Sequence, residues 1–174
     1  MRLNSIARKA QPVSVVFLFA MLAYGVVGVL WGLWHPTVDV EVTANGALDP
    51  VPGTEDASFV GFACFVIVTG LLAFAVAGWS FLTKPRGPAM MMWTTLVVFS
   101  GTWWAYAIGA RVTSWMNTLP EGHPAPGDVF HVASADISLT ALLVPMTIAL
   151  VFYWCASVMS DSETFSDSAA SAED

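Results

Sequence analysis

The chain has 174 residues, of which 56% are hydrophobic and only 11% are charged, and its formal net charge is −7. The hydrophobic fraction exceeds the roughly 45–50% of ordinary soluble domains, and the acidic balance argues against the basic face that nucleic-acid binding requires. Two cysteines are too few for a disulfide framework. These values favour a membrane protein with no nucleic-acid partner.

Four apolar stretches of more than 20 residues contain no Asp, Glu, Lys or Arg. A helix of this length measures roughly 33 Å and crosses a hydrocarbon core of about 30 Å. Backbone groups in lipid must bond within the segment, so helices are expected. We therefore predict an all-α fold, an antiparallel bundle of four transmembrane helices within residues 13–159, at 13–34, 58–82, 88–110 and 137–159.

The segments between these stretches complete the predicted architecture. In residues 35–57, valines alternate with polar residues and Asn45-Gly46 is a turn signal, so we expect a small extended or hairpin-like loop. The short segment "TKPRGP" predicts a tight turn that leaves the second and third helices antiparallel and adjacent. Residues 111–136 are expected to form a second polar loop.

Lysine and arginine are concentrated on one side of the predicted membrane. Residues 1–12 form a basic arm, the tight turn contains Lys84 and Arg86, and only Arg111 lies on the opposite side. Because cytoplasmic loops carry an excess of Lys and Arg, we predict a multi-pass protein of the plasma membrane with both termini cytoplasmic and both long loops outside. The acidic, Ser-rich residues 160–174 are expected to be a disordered cytoplasmic tail.

Small residues recur at helical spacing in the first three stretches. Such stripes let helix backbones approach closely, which is how helices associate in lipid. The pattern does not decide whether the partner helix belongs to this chain or to another. The predicted helix-packing residues are Gly28, Gly32, Gly70, Gly101, Ala105 and Gly109.

The apolar stretches lack the residues that chemistry inside a membrane requires. None contains Asp, Glu, Lys, Arg or His, whereas pumps need ionisable relays, haem bundles need axial ligands and hydrolases need a nucleophile with a base. The motifs GxSxG and HExxH do not occur. We therefore expect no enzyme, no cofactor, and no catalytic, cofactor-binding or metal-binding residue.

The segment "EGHPAPGDVFHVASAD" at 121–136 carries the densest polar chemistry. An outward-facing metal or ligand site would draw on its His123 and His131 together with His35. The spacing is poor for a metal site, since two prolines and a glycine separate the paired histidines. A polar connector is the favoured interpretation, and the metal site is kept as an alternative.

Arg111 is the lone basic residue predicted outside, and it closes the third helix. Asp136 opens the fourth helix on the same side, where a carboxylate is favourable. We predict an ion pair between Arg111 and Asp136, with Asp128 as the alternative acid. In the interfacial region such a pair is worth about 1–2 kcal/mol, and less where it is exposed.

Four short motifs recur in a familiar order: "LWGLWHP" at the end of the first helix, "TEDASF" opening the second, "RGP" in the turn and "WAYAIGAR" at the end of the third. Together they resemble a family of uncharacterised actinobacterial four-span membrane proteins. The resemblance covers roughly residues 12–158 and implies no reaction or cofactor. Some small proteins of this general kind are accessory subunits or assembly factors of the cytochrome bcc–aa3 respiratory supercomplex. The resemblance implies such a role for this chain only by analogy of protein class.

We therefore expect a non-catalytic integral membrane protein that acts through contacts with other membrane proteins of a larger complex. A transporter or channel subunit is the first alternative, and the outward-facing metal or ligand binder is the second. A transporter would need a polar lining at mid-depth. The candidates for such a lining are Thr69, Thr94, Thr95, Thr102, Ser138 and Thr140.

Overall fold

A computed structural model describes residues 2–43, 48–53, 56–117, 127–132 and 138–170. Within these residues the chain forms four helices and three short strands. In chain order they are α1 (Arg2–Trp34), β1 (Val38–Val42), β2 (Leu48–Pro50), α2 (Ala57–Thr83), α3 (Pro88–Met116), β3 (Val129–Val132) and α4 (Leu139–Ala170). The predicted all-α class is confirmed, because helices make up most of the chain.

Three of the four helices are long and apolar enough to cross a membrane. They are Ser14–Trp34 of α1, the whole of α2, and Leu139–Ser160 of α4. The third helix is long enough at 29 residues, but its threonines and tryptophans dilute its apolar character. The chain therefore has the composition of an integral membrane protein, and the fourth span stays a prediction.

The most extensive helix–helix contact is between α1 and α3. Tyr24 packs on Gly101, and one turn further along both helices Gly28 packs on Ala105. Since the contacts advance in the same direction along both helices, α1 and α3 are parallel.

The second helix pair consists of α2 and α4, where Ile148 approaches Gly70 and Phe152 approaches Gly78. These contacts also advance together, so this pair is parallel too. By contrast, α2 and α3 run in opposite directions and contact each other much less than the members of either pair. The tight turn was expected to make them close neighbours. It determines their direction, but side-chain shape determines which helices pack most closely.

The turn between α2 and α3 depends on Gly87. Its backbone adopts φ 155° and ψ 166°, a region essentially reserved for glycine. Pro88 follows at the start of α3, where its missing N–H leaves no intrahelical bond unmade. The Gly87 carbonyl accepts hydrogen bonds from Met90 and Met91, each at 3.1 Å. One helix therefore ends and the next begins within a few residues.

A three-stranded antiparallel sheet with the order β2-β1-β3 lies at the opposite end of the bundle. Val42 pairs with Leu48 on one side of β1, and Val38 pairs with Val132 on the other. The hairpin of β1 and β2 agrees with the extended or hairpin-like loop expected there. The third strand was not expected, because neighbouring prolines and glycines made its four residues resemble loop.

Three helices extend beyond their predicted limits by several residues, and α2 by one residue at each end. α1 begins at Arg2, inside the predicted basic arm, and α3 continues to Met116 rather than ending near residue 110. The last helix runs to Ala170, through most of the segment predicted to be disordered. Adding a residue to an existing helix costs far less than starting one. Hydrophobicity therefore marks the apolar span, but not the end of the helix.

Candidate functional site

The predicted small residues of α1 and α3 meet backbone to backbone. A Cβ on Gly32 would lie 2.6 Å from the Gly109 carbonyl oxygen, and one on Gly28 would overlap the Ala105 backbone. Only a hydrogen atom fits in these positions. The structure thus places these four residues in one interface inside this chain, so their pattern is no argument for a partner helix from another protein.

Two aromatic residues of α1 fill the space that glycines of α3 leave open. Tyr24 lies against Gly101, and Trp31 lies against Gly109. The Trp31 Nε1–H also donates to the Gly61 carbonyl oxygen at 3.0 Å, so this ring joins α1 to α2 as well. Both rings are buried. Through these large side chains α1 contacts both α2 and α3.

Sequence reasoning missed the roles of Tyr24 and Trp31. Their separation of seven residues places them on one face of α1, and that spacing was a usable signal. Gly70, the remaining predicted packing residue, lies in the other pair, where a Cβ would be 3.0 Å from Ile148 Cδ1. The neighbour there is the end of a flexible side chain rather than a backbone.

Three of the four buried threonines that a transporter would need are bonded to their own helices. Thr69 donates to the Phe65 carbonyl at 2.6 Å, Thr102 donates to Val98 at 2.9 Å, and Thr95 is bonded in the same way. These hydroxyl hydrogens are already used, so they offer no free donor to a passing solute. Of the remaining candidates for a polar lining, Thr94 is buried, and Ser138 and Thr140 are exposed.

His35 is enclosed between the end of α1 and the start of α2. It is 9% exposed, and its ring stands edge-on to Trp31 with centroids 4.6 Å apart. Its Nδ1 lies 2.8 Å from the Pro36 carbonyl, which can only accept, so Nδ1 carries the hydrogen. Burial lowers the pKa of His35, and the bond to Pro36 opposes that shift only in part. The neutral ring therefore serves as a packing group.

The other two histidines do not complete a metal site with His35 in the described part of the chain. His123 lies outside the described residues, and β3 places His131 in register with Asp39. Among the described residues, no group of three His, Cys, Asp or Glu side chains could hold a metal ion. The alternative of an outward-facing metal binder therefore gains no support from the geometry.

Arg111 is exposed and lies within the final turns of α3, not after the end of the helix. Asp136, its predicted partner, lies outside the described residues. Asp128 directly precedes β3, and its carbonyl oxygen accepts the Val42 N–H at 3.0 Å. The ion pair between Arg111 and Asp136 stays a prediction.

The middle of α3 carries two adjacent tryptophans that are largely uncovered. Trp103 is 55% exposed and Trp104 is 47% exposed. Neither indole N–H donates a hydrogen bond within the described part of the chain. Trp104 also forms one wall of a groove of about 420 Å³ between α1 and α3, and Gly25 lies on its floor. We call this groove, with both tryptophans, the α1–α3 face.

The described residues therefore present a packed interior and one unusual external surface. The interior is joined by glycines and aromatic rings, and the surface is the α1–α3 face. No family model matches the chain, and no curated protein and no solved structure shows significant similarity to it.

Proposed function

We propose that this chain is a non-catalytic, four-span integral membrane protein whose α1–α3 face binds a transmembrane helix of another protein. The observation that carries the proposal is the tryptophan pair of α3. Tryptophan prefers the membrane–water interface, yet Trp103 and Trp104 lie near the centre of the helix, roughly 20 Å from either end. An indole N–H that makes no hydrogen bond at that depth finds no acceptor in hydrocarbon. A protein partner supplies both apolar cover and an acceptor.

The groove beside Trp104 defines what such a partner must offer. Its α1 wall is formed by aliphatic side chains that include Leu22, Val26 and Val29. Gly25 at the floor has no side chain, and a Cβ there would lie 3.4 Å from Trp104 Nε1 and 3.7 Å from Ile108 Cδ1, so both α3 side chains pack over it. We propose an apolar helix that presents a Ser or Thr hydroxyl, or an uncovered backbone carbonyl, to the Trp104 indole. Trp is also the residue type most enriched in interface hot spots.

The proposed four-span topology gives α3 a position shielded by its neighbours. This helix contacts all three of the others, and all four of its threonines are buried. A helix covered by protein needs less apolar surface than one exposed to lipid, which accounts for its lower hydropathy. We place the turn end on the cytoplasmic side of the plasma membrane, because Lys84, Arg86 and the basic residues in the first turns of α1 occur at that end.

The partner class that we propose is a larger membrane complex. The family resemblance extends this to an accessory subunit or assembly factor of an actinobacterial cytochrome bcc–aa3 supercomplex, by analogy of class alone. No observation on the described residues favours the transporter, channel or metal-binding alternatives over this function.

The experiment is site-specific photo-crosslinking in native membranes. A photoreactive residue at Trp104 should give an adduct with another membrane protein, identified by mass spectrometry. The same residue at Leu71, which is 67% exposed on α2, is the matched control and should give lipid adducts only. Adducts of equal yield at both positions, or adducts with a second copy of this chain alone, would contradict the proposal.

A second measurement uses the tagged protein in mild detergent. Replacing Trp103 and Trp104 together by Leu keeps the surface apolar and removes both indoles. The partner should be lost by about tenfold or more, since interface tryptophans often contribute more than 1.4 kcal/mol. Retention of the partner by the variant at wild-type yield would exclude this surface.

A further inference from the structure

The turn end of the bundle contains polar groups that the fold itself does not satisfy. Within the described part of the chain, four buried atoms there make no hydrogen bond: Ser80 Oγ, Trp93 Nε1, Thr94 Oγ1 and the Tyr153 hydroxyl. A buried polar group left unbonded destabilises the fold, because it has lost its hydrogen bonds to water without replacing them. By contrast, the buried Thr69 and Thr102 hydroxyls donate to carbonyl oxygens of their own helices. Polar groups at this end of the bundle are therefore available to form hydrogen bonds with a ligand.

One of these groups lies at a pocket. Between the turn and α4 is a space of about 330 Å³, bordered by Arg86, Gly87, Met91, Tyr153, Ser157 and Ser160. We call it the turn-end pocket. Its volume falls at the lower end of the range for small-ligand sites, roughly 300–1,000 Å³. Tyr153 is only 1% exposed. Its hydroxyl lies close to the Gly87 backbone but makes no well-formed hydrogen bond among the described residues.

The groups available at the turn-end pocket are hydrogen-bond donors. Ser157 and Ser160 already donate to carbonyl oxygens of α4, at 2.9 and 3.0 Å. The unused donors are the Tyr153 hydroxyl and the Arg86 guanidinium, which is exposed. The donor set matches an anion, because an anion is rich in acceptors and carries the opposite charge.

The start of α3 adds a further positive contribution to the same pocket. Gly87 is the N-cap and offers no side chain to the first-turn N–H groups, and no acidic residue occupies the first turn. The N-terminus of a 29-residue helix therefore keeps its partial positive charge. Pro88 has no N–H, and the Met90 and Met91 N–H groups already donate to the Gly87 carbonyl. The terminus therefore offers a phosphate its partial charge and the Ala89 N–H. The buried, unpartnered Tyr153 is the independent sign that a ligand belongs here.

Phe81 positions the two side chains that would hold the ligand. The Arg86 guanidinium lies 4.6 Å from the centroid of the Phe81 ring, and Tyr153 packs edge-on against the same ring at 5.4 Å. Stacking restrains the long arginine side chain before a ligand arrives. Lys84 stacks in the same way on Trp79, at 5.2 Å, but does not border the turn-end pocket.

We propose that the turn-end pocket binds a phosphate group, held by Arg86, the Tyr153 hydroxyl and the N-terminus of α3. The expected source is the headgroup of an anionic phospholipid. Trp154 borders the pocket and is 60% exposed, as an interfacial side chain is. The basic residues gather at this end of the bundle, and anionic lipids of the cytoplasmic leaflet attract such residues. This source rests on the proposed membrane embedding, but not on the proposed protein partner.

The test is native mass spectrometry of the full chain in detergent, titrated separately with phosphatidylglycerol and phosphatidylcholine. The wild type should bind one phosphatidylglycerol more tightly than phosphatidylcholine. Arg86→Gln should weaken that binding about tenfold, the size expected for one charge-assisted hydrogen bond. Tyr153→Phe, which keeps the ring contact, should weaken it about fivefold. Lys84→Gln is the matched control, because it removes an equal charge from the same turn and should change binding less than twofold.

Each alternative outcome has a definite meaning. Equal loss in Arg86→Gln and Lys84→Gln would show attraction by surface charge and overturn the pocket. Unchanged binding in Tyr153→Phe, with the folded fraction verified by circular dichroism, would overturn it as well. Titration with inorganic phosphate distinguishes the source. Displacement of phosphatidylglycerol only at concentrations above roughly 10 mM supports the lipid, whereas tight phosphate binding without a lipid preference overturns the lipid assignment.

Discussion

The two helix pairs of this bundle use side-chain volume in opposite ways. α1 and α3 touch where side chains are missing, at Gly28 and Ala105 and again at Gly32 and Gly109. α2 and α4 touch where rings interdigitate, with Phe74 and Phe152 centroids 4.4 Å apart. The first arrangement gains from close backbone approach and the second from dispersion between large groups. The comparison shows that the contribution of a small residue to helix packing depends on the residue of the neighbouring helix that faces it.

The largest effect should come from adding one methyl group to the α1–α3 pair. In Gly28→Ala the new Cβ would meet the Ala105 backbone, which has no rotamer with which to yield. We expect a loss of about 2–3 kcal/mol, typical of overpacking, measured as unfolding free energy by circular dichroism in SDS–detergent mixtures.

The matched control adds the same methyl group to the other pair. In Gly78→Ala the Cβ would lie 3.6 Å from Phe152 Cε1, an ordinary contact distance. This variant should be neutral, or more stable by up to about 1 kcal/mol from helix propensity. If Gly28→Ala and Gly78→Ala had equal free energies of unfolding, the two helix pairs would not differ in their tolerance of an added methyl group.

The second-largest effect should come from removing a ring from the α2–α4 pair. Phe152→Ala deletes the contacts with Phe74 and Gly78. We expect a loss of about 2 kcal/mol, below the value for a fully buried ring because Phe152 is only half-buried. Phe152→Leu should lose less than half of that. If both variants unfold like the wild type, the pair is not held by its rings.

A third effect concerns the contact between the pairs, at His35. Because burial lowers the pKa of His35 below its ordinary value of 6.5, the unfolded chain takes up a proton at a higher pH than the folded chain. Stability is therefore fully present above about pH 6.5 and falls as the pH decreases below it. Unfolding curves between pH 7.5 and 5 should show this slope.

The control for that slope is His35→Gln, which keeps a polar side chain but cannot titrate. Its stability should be lower at neutral pH, since the edge-on contact with Trp31 is lost, and its dependence on pH between 5 and 7.5 should be weaker. An unchanged slope in this variant would show that other groups are responsible.

The smallest effect should come from Thr113, an α3 threonine that bonds to the backbone of α1. Thr113 Oγ1 donates to the Gly32 carbonyl at 3.2 Å, so Thr113→Val should cost about 0.6 kcal/mol, the average for such bonds in membrane proteins. Thr147→Val is the control, because Thr147 is exposed and donates to Leu143 within its own helix. A larger loss in the control would reverse the interpretation.

Part of the candidate site was accessible from the sequence, and part was not. The stripe of Gly28 and Gly32 identified a packing face, since both residues occur one turn apart. It did not identify Tyr24 and Trp31 as the groups that fill the glycines of α3. A pattern along one helix shows which positions have small side chains. Which side chain of the neighbouring helix packs against those positions depends on how that helix is rotated about its axis.

The turn-end pocket was less predictable still. Arg86 was recognised as a basic residue of a turn, but its neighbour Tyr153 is 67 residues away in the sequence. The two meet because Phe81 packs on both of them. Arg111 lies inside α3 rather than after it, which the sequence did not indicate. Hydropathy locates the first charged residue after an apolar stretch, but it does not locate the last backbone hydrogen bond of the helix.

The sequence by itself determined that the chain is helical and suited to a membrane, because runs of uncharged residues can satisfy their backbone groups in lipid only as helices. It also determined the tight turn at Gly87 and the hairpin after α1, which follow from local backbone chemistry. The tertiary structure alone decided that α1 pairs with α3 and α2 with α4, and which polar groups were left without partners. Those outcomes depend on complementary shapes between residues far apart in the chain, which no local pattern encodes.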